Sequence, residues 1–145
     1  MPISVVPVIL LPTMDSERFE RCTFSLQDRE SLLTIYISEL EPYVIHFAGL
    51  RWHRCTPQAE CKPVLIQGCD MAVAEIQDSP ALRHYVQKTQ LPAKEASALH
   101  HFRIYLGKGG CHEAFAHSAF GSGSGKMSRA IASLSNTVKL RLKRA

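Results

Sequence analysis

The stretch that decides the fold is LHHFRIYL (residues 99–106), followed by GKGG (107–110) and CHEAFAHSAF (111–120). In its first segment apolar and polar side chains alternate, with Phe102, Ile104 and Leu106 set against His101, Arg103 and Tyr105. Strict alternation is typical of a strand with one buried face, and the glycines between the segments can adopt the positive φ angles of a tight turn. The stretch therefore predicts a β-hairpin with a fixed register, because a one-residue slip would exchange its two faces.

Further strands are predicted on both sides of this hairpin. Aromatic and β-branched residues at 43–47 and 50–55, separated by Ala48-Gly49, predict a second hairpin. Alternation at 19–26 predicts another strand, and two shorter strands are expected at 64–66 and 71–76. Together these segments indicate an antiparallel sheet.

Two helices are predicted. Residues 28–40 place apolar side chains three and four positions apart, which favours a helix, although the β-branched Thr34 and Ile35 leave a strand as the alternative. Ser79-Pro80 is a helix-start signal, because the serine hydroxyl can cap the helix and the proline has no N–H to leave unpaired. The second helix is expected at 80–90.

The composition indicates one soluble domain. Apolar residues make up 46% and charged residues 21% of the 145 residues, which is ordinary for a single globular core. The longest apolar run, 5–11, is far shorter than the roughly 20 residues of a spanning helix and lacks the basic start of a secretory signal. We therefore predict a cytoplasmic protein with a single domain at 15–120, preceded by an extended apolar segment at 1–14 in which Met14 is an alternative start.

The segment 121–145 is predicted to be a Gly/Ser tether followed by a basic tail able to form a helix. It contains no Asp or Glu and carries six cations, Lys126, Arg129, Lys139, Arg141, Lys143 and Arg144. Such a tail can bind nucleic acid or an anionic membrane surface without specificity. It lacks aromatic residues for base stacking, and a solvated tail without a partner is the alternative interpretation.

Five cysteines, an odd number in a chain large enough to fold without disulfides, are expected to be reduced. His53, Cys55, Cys61 and Cys69 offer the ligand types that suit zinc. However, they contain no Cys-x-x-Cys pair, and buried structural cysteines are the favoured interpretation. We predict no metal and no cofactor.

The polar face of the 99–117 hairpin is the candidate ligand-binding or enzymatic surface. It carries His101, Arg103 and Glu113, of which Arg103 and Glu113 are also expected to form a cross-strand ion pair. Nucleophilic catalysis would need a thiol and an imidazole on one face, whereas alternation turns His112 away from Cys111. No catalytic residue is therefore assigned.

The chain resembles small, mostly uncharacterised bacterial proteins, some of them similar to immunity proteins of polymorphic toxin systems. The resemblance rests on residues 28–47, the run Leu50 to Cys55, the helix start at Asp78 to Leu82, and the strand Leu99 to Leu106 followed by Cys111-His112-Glu113. It covers about 90 residues and implies a non-enzymatic protein that binds another protein. It carries over no catalytic residue, and the basic tail lies outside it.

These observations together predict an α+β fold, in which an antiparallel sheet of about five or six strands has one or two helices on one face and a basic C-terminal tail follows. The expected function is that of a small non-enzymatic cytosolic protein-binding or accessory protein, of which a toxin-immunity protein is one form. The alternatives are a small enzyme or ligand-binding domain that uses the hairpin face, and a tail-mediated binder of polyanions. The oligomeric state is left open.

Overall fold

The computed structural model describes residues 4–11, 17–27 and 30–122. Within these residues nine strands form two antiparallel sheets. The five-stranded sheet has the spatial order β1 (Ser4–Leu10), β6 (Ala72–Gln77), β7 (His100–Tyr105), β8 (Cys111–Ala116) and β5 (Trp52–Thr56). The four-stranded sheet has the order β2 (Phe19–Gln27), β3 (Glu30–Ile37), β4 (Tyr43–Ala48) and β9 (Ser118–Ser122).

The core lies between the two sheets. Alternate residues of β3 and β4 are buried, and they join Phe102 and Ile104 of β7 in one apolar cluster. Phe47 and Phe102 meet across the interface with ring centroids 6.2 Å apart. Since burying a large apolar side chain contributes about 1.5–3 kcal/mol, this layer is the main stabilising element of the fold.

In the part of the chain that the structure describes, three short α-helices accompany the sheets: α1 (Pro63–Ile66), α2 (Pro80–Thr89) and α3 (Ala93–Ala98). The predicted helix start is confirmed, because the Ser79 hydroxyl accepts a hydrogen bond from the Leu82 N–H at 3.0 Å. No helix among the described residues has the length and apolar character needed to cross a membrane. The fold class, α+β with antiparallel sheets, is confirmed, with two sheets where a single sheet was expected.

The predicted helix at 28–40 is wrong. Its described residues from Glu30 to Ile37 form β3, which pairs with β2 on one side and β4 on the other. The burial pattern has a period of two, with Leu33 and Ile35 fully buried and the residues between them half-exposed. The β-branched residues and the pairing on both edges outweigh the helical spacing of the leucines.

The predicted hairpin at 43–55 is also wrong. Gly49 does adopt a positive φ of 64°, but the chain passes there from one sheet to the other, so that β4 pairs with β3 and β9 while β5 pairs with β8. The strand expected at 64–66 is the short helix α1. Turn chemistry identified the bend but not the partner strands.

The hairpin at 99–116 is confirmed, with Arg103 directly opposite Glu113 in the β7–β8 register. After a bend at His117 the chain enters the other sheet as β9, which continues into Gly121 and Ser122 of the predicted tether. The N-terminal segment forms the edge strand β1 as far as Leu10. The basic residues of the tail lie outside the described residues.

Candidate functional site

A buried polar cluster lies on the face of the five-stranded sheet that points away from the core. We call it the Glu113 cluster, and it consists of Glu113, His101, Arg103, Arg54 and Ser79. Glu113 is 2% exposed. Its Oε1 accepts a hydrogen bond from Arg54 Nη2 at 2.8 Å, and its Oε2 lies 3.1 Å from Arg103 Nε and 2.9 Å from His101 Nε2.

Strand register brings these groups together. In β7 and β8 the polar residues alternate with core residues, so His101, Arg103 and Glu113 all lie on the outer face. Arg54 joins them because β5 pairs with β8 and places residue 54 opposite Glu113. The hairpin face is thus not a flat exposed surface but a layer buried beneath the helices.

The cluster keeps Glu113 ionised. Burial by itself would raise the pKa of this carboxyl group, but the hydrogen bonds from His101 and Arg54 and the charge of Arg103 outweigh burial and lower the pKa to about 2. Arg103 is anchored in turn by donating to the Val64 carbonyl at 3.3 Å. The carboxylate is therefore a fixed acceptor for its neighbours.

Ser79 completes the cluster at its far end. Its Oγ lies 2.7 Å from His101 Nδ1 and, as the cap of α2, also accepts the Leu82 N–H. Both side chains are almost fully buried, with Ser79 4% and His101 2% exposed. A continuous chain of hydrogen bonds thus runs from the start of α2 through the imidazole to Glu113.

An open cleft of about 690 Å³ begins where this chain ends. It lies between α2, α3 and the strands β6 and β7, and Ser79 and His101 form part of its wall. His100 and Glu75 also border the cleft, and His100 Nδ1 pairs with Glu75 Oε2 at 2.7 Å on the sheet face opposite to His101. The apolar part of the lining is supplied by Ile76, Leu82, Val86, Ala93, Ala96 and Leu99.

Of the three residues predicted for this surface, only His101 reaches the cleft. Arg103 and Glu113 do not line the cleft. Glu113 contacts both Arg103 and His101, so the two residues are connected to the cleft wall through His101. From the sequence, Ser79 was expected only as a helix cap, and no role was expected for Arg54. Arg54 could be assigned only after the β5–β8 pairing was known, since it depends on strands about 60 positions apart in the sequence.

A second polar cluster lies where side chains of the edge strands β2 and β5, from different sheets, meet. We call it the His112 cluster, and it consists of His112, Cys22, His53 and Cys55. His112 Nε2 lies 3.5 Å from Cys22 Sγ and 3.6 Å from Cys55 Sγ, and its Nδ1 lies 3.2 Å from His53 Nε2. The His53 ring stacks on Phe24 with centroids 3.7 Å apart.

The His112 cluster is held in its neutral form. Burial, followed by the nearby His112, lowers the pKa of His53 to about 4, and burial also lowers the pKa of His112. Burial and the neighbouring Cys55 raise the pKa of Cys22 to about 11. The thiols therefore stay protonated at neutral pH, which makes them poor nucleophiles.

Of the four metal ligands considered from sequence, His53 and Cys55 both lie in the His112 cluster, whereas Cys61 and Cys69 do not. Cys61 Sγ donates to the Thr56 carbonyl, and Cys69 Sγ, fully buried, donates to the Leu65 carbonyl at 3.0 Å. Within residues 4–11, 17–27 and 30–122 no group of three or more His, Cys, Asp or Glu side chains is placed to hold a metal ion. All five cysteines are free thiols.

Comparison with known proteins gives no match to a family model, to a curated protein or to a solved structure. The resemblance to immunity proteins stays a prediction.

Proposed function

We propose that the protein is a cytoplasmic small-molecule-binding domain whose ligand occupies the cleft between α2, α3 and strands β6 and β7. The observation that carries the proposal is His101, a buried imidazole on the cleft wall whose two nitrogens are both oriented, one by Ser79 and the other by Glu113. Ligand sites combine an apolar cleft with a few rigidly placed polar groups, and this cleft has both.

The lining indicates the chemistry of the ligand. Six apolar side chains from α2, α3, β6 and the position before β7 line the cleft, and the other lining residues are polar or charged, among them Ser79, Arg83 and His101. The volume of about 690 Å³ lies within the range of roughly 300–1,000 Å³ that is usual for small organic ligands. A ligand with an apolar body and a hydrogen-bonding group matches this lining of apolar and polar side chains.

A series of aliphatic amides with four to eight carbon atoms provides the probe, because each has an apolar body and one polar end. In NMR titrations of the full chain, we expect saturable shifts of the backbone N–H signals, confined to β6, β7, α2 and α3. Ala93→Trp and Ala96→Trp should each weaken binding at least tenfold, since both residues line the cleft. Lys94→Trp is the matched control, on the same helix but outside the lining.

Two results would overturn this function. One is the absence of any amide binding to the wild-type chain. The other is binding that the tryptophan variants at 93 and 96 leave unchanged, since the probe would then lie elsewhere.

Protein binding of the immunity type is the second candidate. The observation that favours it is the exposure of large aliphatic side chains, with Leu10 74%, Leu26 70% and Val64 57% exposed. A partner would remove these side chains from water and gain hydrophobic stabilisation. Affinity capture should then recover one partner with the wild-type chain and lose it with Leu26→Asp, and a wild-type chain that captures nothing would reject this candidate.

A further inference from the structure

The proton positions in the Glu113 cluster follow from the carboxylate. An ionised carboxylate only accepts hydrogen bonds, so the hydrogen between Glu113 Oε2 and His101 Nε2 lies on the histidine. In the tautomer with its hydrogen on Nε2, the imidazole has a lone pair on Nδ1, and the Ser79 hydroxyl, 2.7 Å away, can donate to it. A hydroxyl, a base and a group that orients the base thus follow one another.

Ser79 also lies where negative charge on its oxygen is stabilised. It caps α2, a helix of ten residues, and its Oγ accepts the Leu82 N–H. The positive end of the helix dipole and this N–H both favour charge developing on Oγ. The cleft supplies the space in which an electrophile can approach the hydroxyl.

We propose that Ser79 is the nucleophile of an ester-hydrolysing site, with His101 as its general base and Glu113 as a positioning residue, acting on esters whose apolar acyl or alkyl part fills the cleft. The proposal rests on the proposed function, since it requires that the cleft binds a small molecule. The order of groups is that of known hydroxyl nucleophiles, in which the base is held by a third group. Here the serine faces Nδ1 and the carboxylate faces Nε2, which exchanges the two nitrogens but preserves their roles.

The reaction balances with water as the only co-reactant. Ser79 Oγ bonds to the carbonyl carbon while its proton passes to His101 Nδ1, and the carbonyl π electrons move to the oxygen. As the carbon–oxygen bond to the alcohol breaks, the same proton passes to the leaving alcohol. Water then attacks the acyl-serine with His101 again accepting a proton, which releases the carboxylic acid and restores the serine.

One feature of this site differs from common serine hydrolases. The residue after the nucleophile often donates its backbone N–H to the oxyanion, but here that residue is Pro80, which has no N–H. Arg83, which also lines the cleft and whose Nη1 donates to the Asp78 carbonyl at 2.9 Å, is the charged residue that we assign to the oxyanion. We expect Arg83→Gln to lower kcat and to slow the acylation of Ser79 without abolishing it.

The test combines covalent labelling with turnover. We expect an alkyl fluorophosphonate to add one phosphonyl group to the peptide that contains Ser79, and p-nitrophenyl butyrate to be hydrolysed faster than in buffer. Ser79→Ala and His101→Gln should each lower hydrolysis at least 100-fold and abolish labelling. Ser38→Ala is the control, because Ser38 follows β3 and does not line the cleft.

The outcomes separate this inference from the proposed function. Amide binding in the cleft without labelling or hydrolysis by the wild-type chain would overturn the inference and leave the binding function standing. Absence of amide binding would overturn both. Ser79 is also a cap, so amide binding by Ser79→Ala, measured beside its activity, shows that the variant is folded and that a lost label reports the hydroxyl.

Discussion

His112 and Glu113 are neighbours in β8, yet they belong to different clusters on opposite faces of the same sheet. The Glu113 cluster contains an ionised carboxylate and lies beneath the helices, with two arginines and a histidine around it. The His112 cluster lies at the corner between the sheets and contains two imidazoles and two thiols with no counter-charge among them. The two regions differ in charge.

This difference shows two ways of burying polar groups in one sheet. A full charge is tolerated because each carboxylate oxygen receives charged or hydrogen-bonded donors, and removing one donor is costly. A group without counter-charge is tolerated only while it is neutral. The two clusters should therefore lose their contribution to the free energy of unfolding in different pH ranges, and different substitutions should remove it.

The largest effect is expected for Glu113→Gln. The substitution preserves shape but leaves Arg103, which is 7% exposed, without a counter-charge. Breaking a buried ion pair by removing one partner costs about 3–5 kcal/mol, and we expect a loss of this size in the free energy of unfolding from urea titration. Glu95→Gln is the control, since Glu95 pairs with Arg51 at the surface and should cost less than about 1 kcal/mol.

The pH dependence of the wild-type protein provides an independent check. The pKa of Glu113 is lower in the folded state, about 2 against an ordinary value of 4.5. Its contribution is therefore fully present above about pH 4.5 and is lost as the pH falls towards 2. At about 1.4 kcal/mol per pKa unit the contribution is about 3 kcal/mol. An equal acid slope in wild type and Glu113→Gln would contradict the assignment.

Contacts between residues close in the sequence could be predicted for these clusters, whereas contacts between distant residues could not. The alternation at 99–106 placed His101 and Arg103 on one face and paired Arg103 with Glu113, because a hairpin is a local contact. The register also turned His112 away from Glu113, as expected. The Ser79 cap was predicted, but its contact with His101 was not, since nothing local relates α2 to β7.

The long-range pairings could not be predicted. Whether the chain turns back at Gly49 or crosses to another sheet depends on which partner strand is free, and β8 is about 60 residues away from β5 in the sequence. The position of Arg54 and the meeting of Cys22 with Cys55 depend on this crossing. The helix predicted at 28–40 failed for the same reason, because β3 is stabilised by two neighbouring strands rather than by its own spacing.

A smaller effect is expected for Arg54→Gln, which removes one donor from the outer side of the Glu113 cluster. The Arg54 side chain is 58% exposed, so solvent screens its charge, whereas its acceptor is buried. A hydrogen bond to a charged group is worth about 1.5–3 kcal/mol, and allowing for exposure we expect a loss of about 1–2 kcal/mol in urea unfolding. Arg51→Gln, the matched surface arginine, should cost less, and equal losses would show that burial of the acceptor is irrelevant.

The smallest effect concerns the His112 cluster and appears only in acid. The pKa of His53 is lower in the folded state, about 4 against an ordinary value of 6.5, so the unfolded chain binds a proton first as the pH falls. The contribution of neutral His53 is present above about pH 6.5 and is lost between 6.5 and 4. Since the ring is partly exposed, we expect a loss on the order of 1 kcal/mol over this range.

His53→Gln should reduce this acid slope because glutamine does not titrate and its amide group can still form a hydrogen bond with His112 Nδ1. His84→Gln, an exposed histidine on α2, is the control and should leave the slope unchanged. The lowered pKa of His112 leaves a residual slope in His53→Gln, since His112 still has to remain neutral. If His53→Gln has the full wild-type slope, the neutral imidazole pair does not limit acid stability, and the contrast between a charged and a neutral cluster in one sheet fails.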